Sequence, residues 1–380
     1  MDTLPGARRL FLFLLVSASA AARLVLAVSS HATPRILNHP SFISSNEDCS
    51  RRPRHEQETT YTYTYTFTIP PAGPAPLRLQ ATAPAVASNP IPLPTLYTSM
   101  QRAAAAYCDP DALRAWSCRV CRTEHLLGAE VADVITDESY HLQAYVAYFA
   151  TPGEITVAFR GTEASSFLNW TENLHFMAAD YEIPVVPGRG VKPELNPRVH
   201  SGFYRDYHDS QLKDGVRGAV RRLLERHHSW LGRYPIVQIV GHSLGGALAQ
   251  IAAVDLFFLF PDVTISLTSF GAPRVGNHDF ARLVHEIAPD GLRVTHNRDL
   301  VPALPPHLAG FHHAPTEIYT RTDDAVPGVV EVKRCDESGE DPTCYDGVCG
   351  IHGYGMCTSI SDHLEYLGIH VGDMSCVSGD

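Results

Sequence analysis

The sequence predicts an α/β protein, a largely parallel sheet covered by helices on both faces. Three observations carry this. From about residue 96, apolar runs of strand length alternate with helical patterns. The run 236–240 leads through a serine with glycines two residues to either side directly into a helical pattern at 244–258. Asp299 follows another short run, 292–295, at the strand end where such sheets place their chemistry.

Taken in order, the chain opens with Arg8 and Arg9, an apolar run 10–16 and the small residues 17–22. Charged, apolar and small regions in that order predict a secretory signal peptide over residues 1–27, with cleavage after Ala20, Ala22 or Ala27. The apolar run is too short to span a bilayer, and Arg23 interrupts its continuation. Residues 28–95 do not read as a core. Thr alternates with Tyr or Phe over 59–68, a strand pattern on its own, and 70–94 is dense in proline and alanine. A removable pro-segment and a flexible linker both fit this stretch.

The body, 96–380, begins with an alanine-centred helix at 96–107. Strands at 141–150 and 155–159 are split by the turn Thr151-Pro152-Gly153. A long helical pattern covers 204–231, and the strand 236–240 and helix 244–258 follow. Strand 263–270, helix 280–287 and strand 292–295 complete the alternation. One domain of this length suits such a sheet.

With 44% hydrophobic and 19% charged residues among 380, the chain has ample material for a core, which excludes general disorder. A formal net charge of −11 excludes a basic nucleic-acid footprint. The nine cysteines of a secreted chain read as disulfides with one left over. Cys118-x-x-Cys121 lacks the second pair a zinc site needs. His227-His228 and His312-His313 lack the i, i+4 ligand spacing, so no metal site and no cofactor are expected.

Gly241-His242-Ser243-Leu244-Gly245 fits G-x-S-x-G in its strand–turn–helix context, making Ser243 the nucleophile candidate. Small neighbours let strand and helix approach, and the helix N-terminus favours developing negative charge. A serine needs a base, and the order Ser, acid, His leaves nine downstream histidines. His363, late in Ser361-Asp362-His363-Leu364, and Asp299 are the candidates, though order alone is a weak filter among so many. Phe167, Leu168, Trp170, Leu174 and Phe176 stand among polar residues at 163–176, and Phe167, Trp170 and Leu174 share one helical face.

Five motifs occur in one order: Phe159-Arg160-Gly161-Thr162, Gly241 to Gly246, Gly271-Ala272-Pro273-Arg274-Val275-Gly276-Asn277, His296 to Pro302, and Asp362 to Ile369. Over residues 96–380 the chain resembles the secreted fungal class 3 triacylglycerol lipases of Rhizomucor and Rhizopus. The resemblance implies an α/β-hydrolase fold with a lid helix bearing Phe167, Leu168, Trp170 and Leu174. It implies Ser243 as nucleophile, His363 as acid/base, Asp299 as its orienter, and an oxyanion hole from the Thr162 and Leu244 N–H groups. It further implies the disulfides Cys108–Cys376, Cys118–Cys121 and Cys335–Cys344. Cys349 and Cys357 depart from that pattern and are left to pair with each other, with Cys49 alone. The expected activity is lipase action by a secreted, extracellular monomer on a lipid ester at an oil–water interface, with no nucleic-acid partner and no transmembrane segment. A feruloyl or other carbohydrate esterase of the same fold is the alternative, and a catalytically inactive lipid-binding protein is the alternative of another class. Asn169-Trp170-Thr171 is a glycosylation acceptor within the lid.

Overall fold

The computed structural model describes residues 63–66, 80–82, 92–163, 177–183, 194–228, 233–322, 329–349, 357–372 and 375–376. The chain forms two compact units, Met1–Glu58 and Thr59–Asp380. The first unit, with the expected signal segment and Cys49, lies outside the described residues, as do the lid positions Phe167, Leu168, Trp170 and Leu174 and the acceptor Asn169.

In chain order the second unit contains β1 (Tyr63–Thr66), β2 (Gln80–Thr82), α1 (Leu93–Ala105), α2 (Pro110–Arg114), β3 (Ala129–Asp137), β4 (Leu142–Phe149) and β5 (Glu154–Phe159). Next come β6 (Ala178–Asp180), β7 (Arg198–His200), α3 (Ser201–His208), α4 (Leu212–His227), β8 (Ile236–His242), α5 (Leu244–Leu259), β9 (Ile265–Phe270) and α6 (His278–Ile287). The remainder is β10 (Leu292–His296), β11 (Glu317–Thr322), β12 (Val329–Arg334), α7 (Tyr345–Cys349), β13 (Glu365–Tyr366) and β14 (Ile369–His370).

Ten strands form one sheet in the order β2-β1-β12-β11-β10-β9-β8-β5-β4-β3. Its central strands β5, β8, β9, β10 and β11 run parallel. Antiparallel strands flank them on both sides. In β8 the side chains alternate between the two faces: Val237 and Ile239 join one buried cluster and Val240 the other. α1 covers the second face, burying Leu96, Met100 and Ala103. α4 covers the first with the stripe Leu212, Val216, Ala219, Val220, Leu223 and Leu224. α5 has almost no polar face, and nearly its whole length is buried beside β8 and β9.

The structure differs from the sequence reading at three places. The single helix expected over 204–231 is two, α3 and α4. Ser210 Oγ bonds the Asp206 carbonyl at 2.5 Å and accepts the Leu212 N–H at 3.2 Å, while Asp137 accepts the Gln211 N–H at 3.0 Å. The Ser210 hydroxyl donates to the Asp206 carbonyl where α3 ends, and Ser210 and Asp137 accept the N–H groups that open α4. The Thr/Tyr alternation of the prefix forms β1, which pairs antiparallel with β12, Tyr63 opposite Val332 and Thr66 opposite Val329. α1 also starts at Leu93, ahead of the expected boundary.

Among the described residues four disulfides are formed: Cys108–Cys376, Cys118–Cys121, Cys335–Cys344 and Cys349–Cys357. No helix among the described residues is long and apolar enough to cross a membrane.

Candidate active site

The turn between β8 and α5 holds Ser243 at φ 59°, ψ −131°, a backbone conformation rare for a side-chain-bearing residue. Such a conformation costs about 1–3 kcal/mol and persists only where the surroundings enforce it. Here the Ser243 N–H donates to the Phe270 carbonyl on β9, and its carbonyl accepts from Gly246 N–H, each at 2.9 Å. Gly241 and Gly245 allow the close approach. A Cβ on Gly241 would run into the Gly245 carbonyl, and one on Gly245 into the Phe159 carbonyl. Ser243 is fully buried, and its Oγ has no hydrogen-bond partner among the described residues.

The end of β5 lies against this turn. A Cβ on Gly161 would sit 2.9 Å from Ser243 Cβ. Thr162 follows, with its Oγ1 buried and unbonded among the described residues. Leu244 opens α5, so its N–H belongs to the first turn, which has no intrahelical acceptor.

Asp299 and His363 converge on the same region. His363 Nδ1 lies 2.9 Å from both Asp299 carboxylate oxygens. Both side chains are buried, at 1% and 0% exposure, so the pair works at low dielectric. Asp299 is further fixed by the Val301 N–H at 2.8 Å and the Tyr366 hydroxyl at 2.6 Å, and its carbonyl accepts from the Tyr345 hydroxyl. The 359–363 loop is stitched to the 297–300 segment. Arg298 N–H donates to Asp362, Ser359 N–H to the Arg298 carbonyl and Leu300 N–H to the Ser359 carbonyl. That stitching delivers a histidine 64 residues downstream onto Asp299.

Residues beyond the sequence candidates complete the arrangement. His242 Nε2 lies 2.8 Å from the His363 main-chain carbonyl, and its Nδ1 lies 2.8 Å from the Tyr107 hydroxyl. A carbonyl only accepts, so Nε2 carries the ring proton and the Tyr107 hydroxyl donates to Nδ1. The Tyr107 oxygen in turn accepts the Gly161 N–H. Burial, reinforced by the neighbouring His363, holds His242 well below the usual imidazole range, so it is neutral. Burial pushes the Tyr107 phenol up, keeping it protonated. Burial and then the Asp299 charge do the same to Tyr366. His242 sits inside the serine motif, but no sequence spacing announces Tyr107 or Tyr366 as its neighbours.

Among the described residues, Cys335, Asp341 and Cys344 place three metal-type donor atoms together. The two thiols are bonded to each other and cannot act as thiolate ligands. The Cys118–Cys121 disulfide likewise disposes of the half zinc site considered from sequence.

The chain matches the model of the family described as Lipase (class 3) over residues 156–309. It is 33% identical over 285 residues to a lipase of Rhizomucor miehei, covering 73% of this chain and 69% of that relative. It is 30% identical over 279 residues to a lipase of Rhizopus niveus, covering 72% of this chain. The matched part spans 63% of that relative's length. A solved triacylglycerol lipase, described as having a serine protease triad at its catalytic centre, superposes with a TM-score of 0.60 at 30% identity, covering 74% of this chain and 96% of that one. The shared parallel sheet, the elbow serine at its centre and the extent of the Rhizomucor match lead to one assignment: the chain belongs to the class 3 lipase family and has its α/β-hydrolase fold.

Proposed function

We propose that this protein is a secreted serine ester hydrolase, a triacylglycerol lipase working at an oil–water interface. The observation that carries the reading is the buried carboxylate–imidazole pair, Asp299 and His363, joined to the strained Ser243 turn through His242, whose Nε2 lies 2.8 Å from the His363 carbonyl. With Nδ1–H held by Asp299, the lone pair of His363 is on Nε2, the nitrogen a serine proton needs.

In this reading Ser243 Oγ attacks the ester carbonyl while His363 Nε2 takes its proton. The tetrahedral oxyanion is held by the Thr162 and Leu244 N–H groups, with the Thr162 hydroxyl assisting. Each such donor is typically worth about 3–4 kcal/mol of transition-state stabilisation. Collapse expels the glycerol alkoxide, which receives the proton from His363 and leaves an acyl group on Ser243. Water, deprotonated by His363, then releases the fatty acid and restores the serine. The apolar residues Phe167, Leu168, Trp170 and Leu174 belong to a lid that opens toward lipid. Residues 1–27 direct secretion, and residues 28–95, which also supply β1, β2 and the start of α1, act as a pro-segment or linker of a monomeric protein.

Turnover on emulsified triolein against soluble methyl ferulate tests the proposal. Lipase action requires triolein preference with a rate rise once an interface forms. Ferulate preference without that rise would replace it with a carbohydrate esterase. The Ser243→Ala variant is expected to lose about 10⁶-fold in rate while still binding lipid. Lipid binding with no hydrolysis in either form would leave only a binding protein.

A further inference from the structure

A second concentration of imidazoles plays no part in the serine chemistry. A cleft of about 290 Å³ lies along α6, with His278, His285 and His312 in its wall. Beside it, on the 3₁₀ turn His307–Ala309, His307 points Nε2 at His312 Nδ1, 3.3 Å away. His312 is oriented from behind by the Ser338 carbonyl, 2.8 Å from its Nε2. A carbonyl only accepts, so Nε2 holds the proton and Nδ1 presents its lone pair to His307. The His278 ring meets His312 edge-on with centroids 5.0 Å apart, and the His307 ring lies 5.4 Å from His312.

We propose that His307 and His312, joined by His278, bind a divalent transition-metal cation of the zinc type.

The spacing supports it. Zinc–imidazole bonds of about 2.0–2.1 Å in a tetrahedral site place neighbouring nitrogens about 3.3–3.4 Å apart. The His307–His312 pair already has that separation. The protons balance without loss. His312 stays protonated on Nε2, and His307 moves its ring proton from Nε2 to Nδ1, so both ligands remain neutral. The carbonyl behind His312 is the outer-shell partner that metal-bound histidines typically have. His278, exposed at the start of α6 with its ring 5.0 Å from that of His312, is the third ligand the proposal requires, its side chain turning onto the ion as it binds, with water at the fourth position.

The charges around the site are mixed. Glu340 Oε1 lies 4.0 Å from His312 Nδ1 but is engaged by Arg274. Arg282 lines the cleft together with Glu286 and Glu337. Burial holds His312 below the usual imidazole range, and His278 and His307 push the same way. The Ser338 carbonyl and Glu340 oppose that shift. His312 is therefore available as a neutral ligand near pH 7. The bound ion would clamp the segment after Asp299 to the N-terminus of α6.

The test uses the full-length protein stripped with EDTA, then titrated with cobalt chloride by visible absorption and with zinc chloride by calorimetry. The expected result is one ion per chain, a tetrahedral cobalt spectrum abolished by zinc, and a raised Tm. The double variant His307→Ala/His312→Ala should bind cobalt at least about tenfold more weakly. His370→Ala, at an exposed histidine paired with Glu365, should bind as the parent does. Should the double variant fail to fold, His307→Gln alone carries the test, because His307 is only half-buried. A parent protein with no saturating cobalt spectrum overturns the proposal. So does unchanged affinity in the His307 variants.

Discussion

His242 carries a partner on each ring nitrogen, and through them it joins Gly161, Tyr107 and the main chain of His363. Replacing Tyr107 by Phe removes the shared hydroxyl and strands the Gly161 N–H and His242 Nδ1. Each stranded buried group costs about 1–3 kcal/mol. Tyr107→Phe should therefore lower unfolding free energy by that order in urea. It should also slow hydrolysis of a soluble ester about tenfold, because Gly161 precedes the proposed oxyanion donor. Unchanged values in both measurements would remove Tyr107 from the site. Asp299→Asn preserves shape but reverses the hydrogen bond that sets the His363 tautomer. It should cut kcat about 10⁴-fold with Tm nearly intact. Asp299 and His363 stood among the sequence candidates, but their contact was not legible there, since 64 residues separate them with no shared period. Tyr366, three residues after His363, has the appearance of an ordinary aromatic in a loop until its hydroxyl is found on Asp299.

The elbow is a property of two strands and a helix taken together. β5, β8 and α5 approach so closely at Gly241 and Gly245 that a single methyl group meets backbone. Backbone cannot rotate aside as a side chain can. Gly245→Ala should cost more than about 3 kcal/mol, seen as a collapse of secreted yield or a large fall in Tm. Near-parental stability would show that the strands can part at this point. The alternation that predicts β5, β8, β9 and β10 works because central strands are apolar on both faces. β3 and β12 escape that reading. Their residues, such as Ala129–Asp137 with its bulge between Val131 and Asp133, mix charge and apolarity as flanking strands do. The break between α3 and α4 escapes it too, since one of its caps, Asp137, comes from a distant turn.

Across the whole molecule, the Cys108–Cys376 disulfide closes a separation of 268 residues and ties α1 to the chain's end. Chain entropy assigns such a loop about 5 kcal/mol, as an upper figure. The double variant Cys108→Ser/Cys376→Ser should lose several degrees in Tm, and an unchanged Tm would mean the two ends are held by packing alone. Acid stability is also a collective property. Burial pushes His208 down to about 4 and holds His242 and His313 well below the usual range. Below about pH 6.5 the unfolded chain binds protons that the folded chain refuses, so stability falls with pH through that window. Asp206, raised by burial to about 6, works the other way over the same range. His296 and His312 are lowered by burial as well, and Glu317 joins Asp206 in being raised; the depressed histidines outweigh the two carboxyls, so Tm at pH 5 should lie below Tm at pH 7. A Tm that rises on acidification would contradict this balance.

The sequence by itself determined the layered α/β architecture and the serine turn, because both are written in contiguous residues. A strand, a tight turn and a helix follow one another in the chain, and their periodicities are local. The motif order also sufficed to place the chain in its family. Only the tertiary structure decided which of twenty histidines meet which partners. His363 reaches Asp299, His242 reaches Tyr107, and His307 reaches His312, through loop stitching, strand register and helix packing. Those contacts join segments whose separation along the chain carries no period, so they exist only once the sheet has brought its edges and loops together.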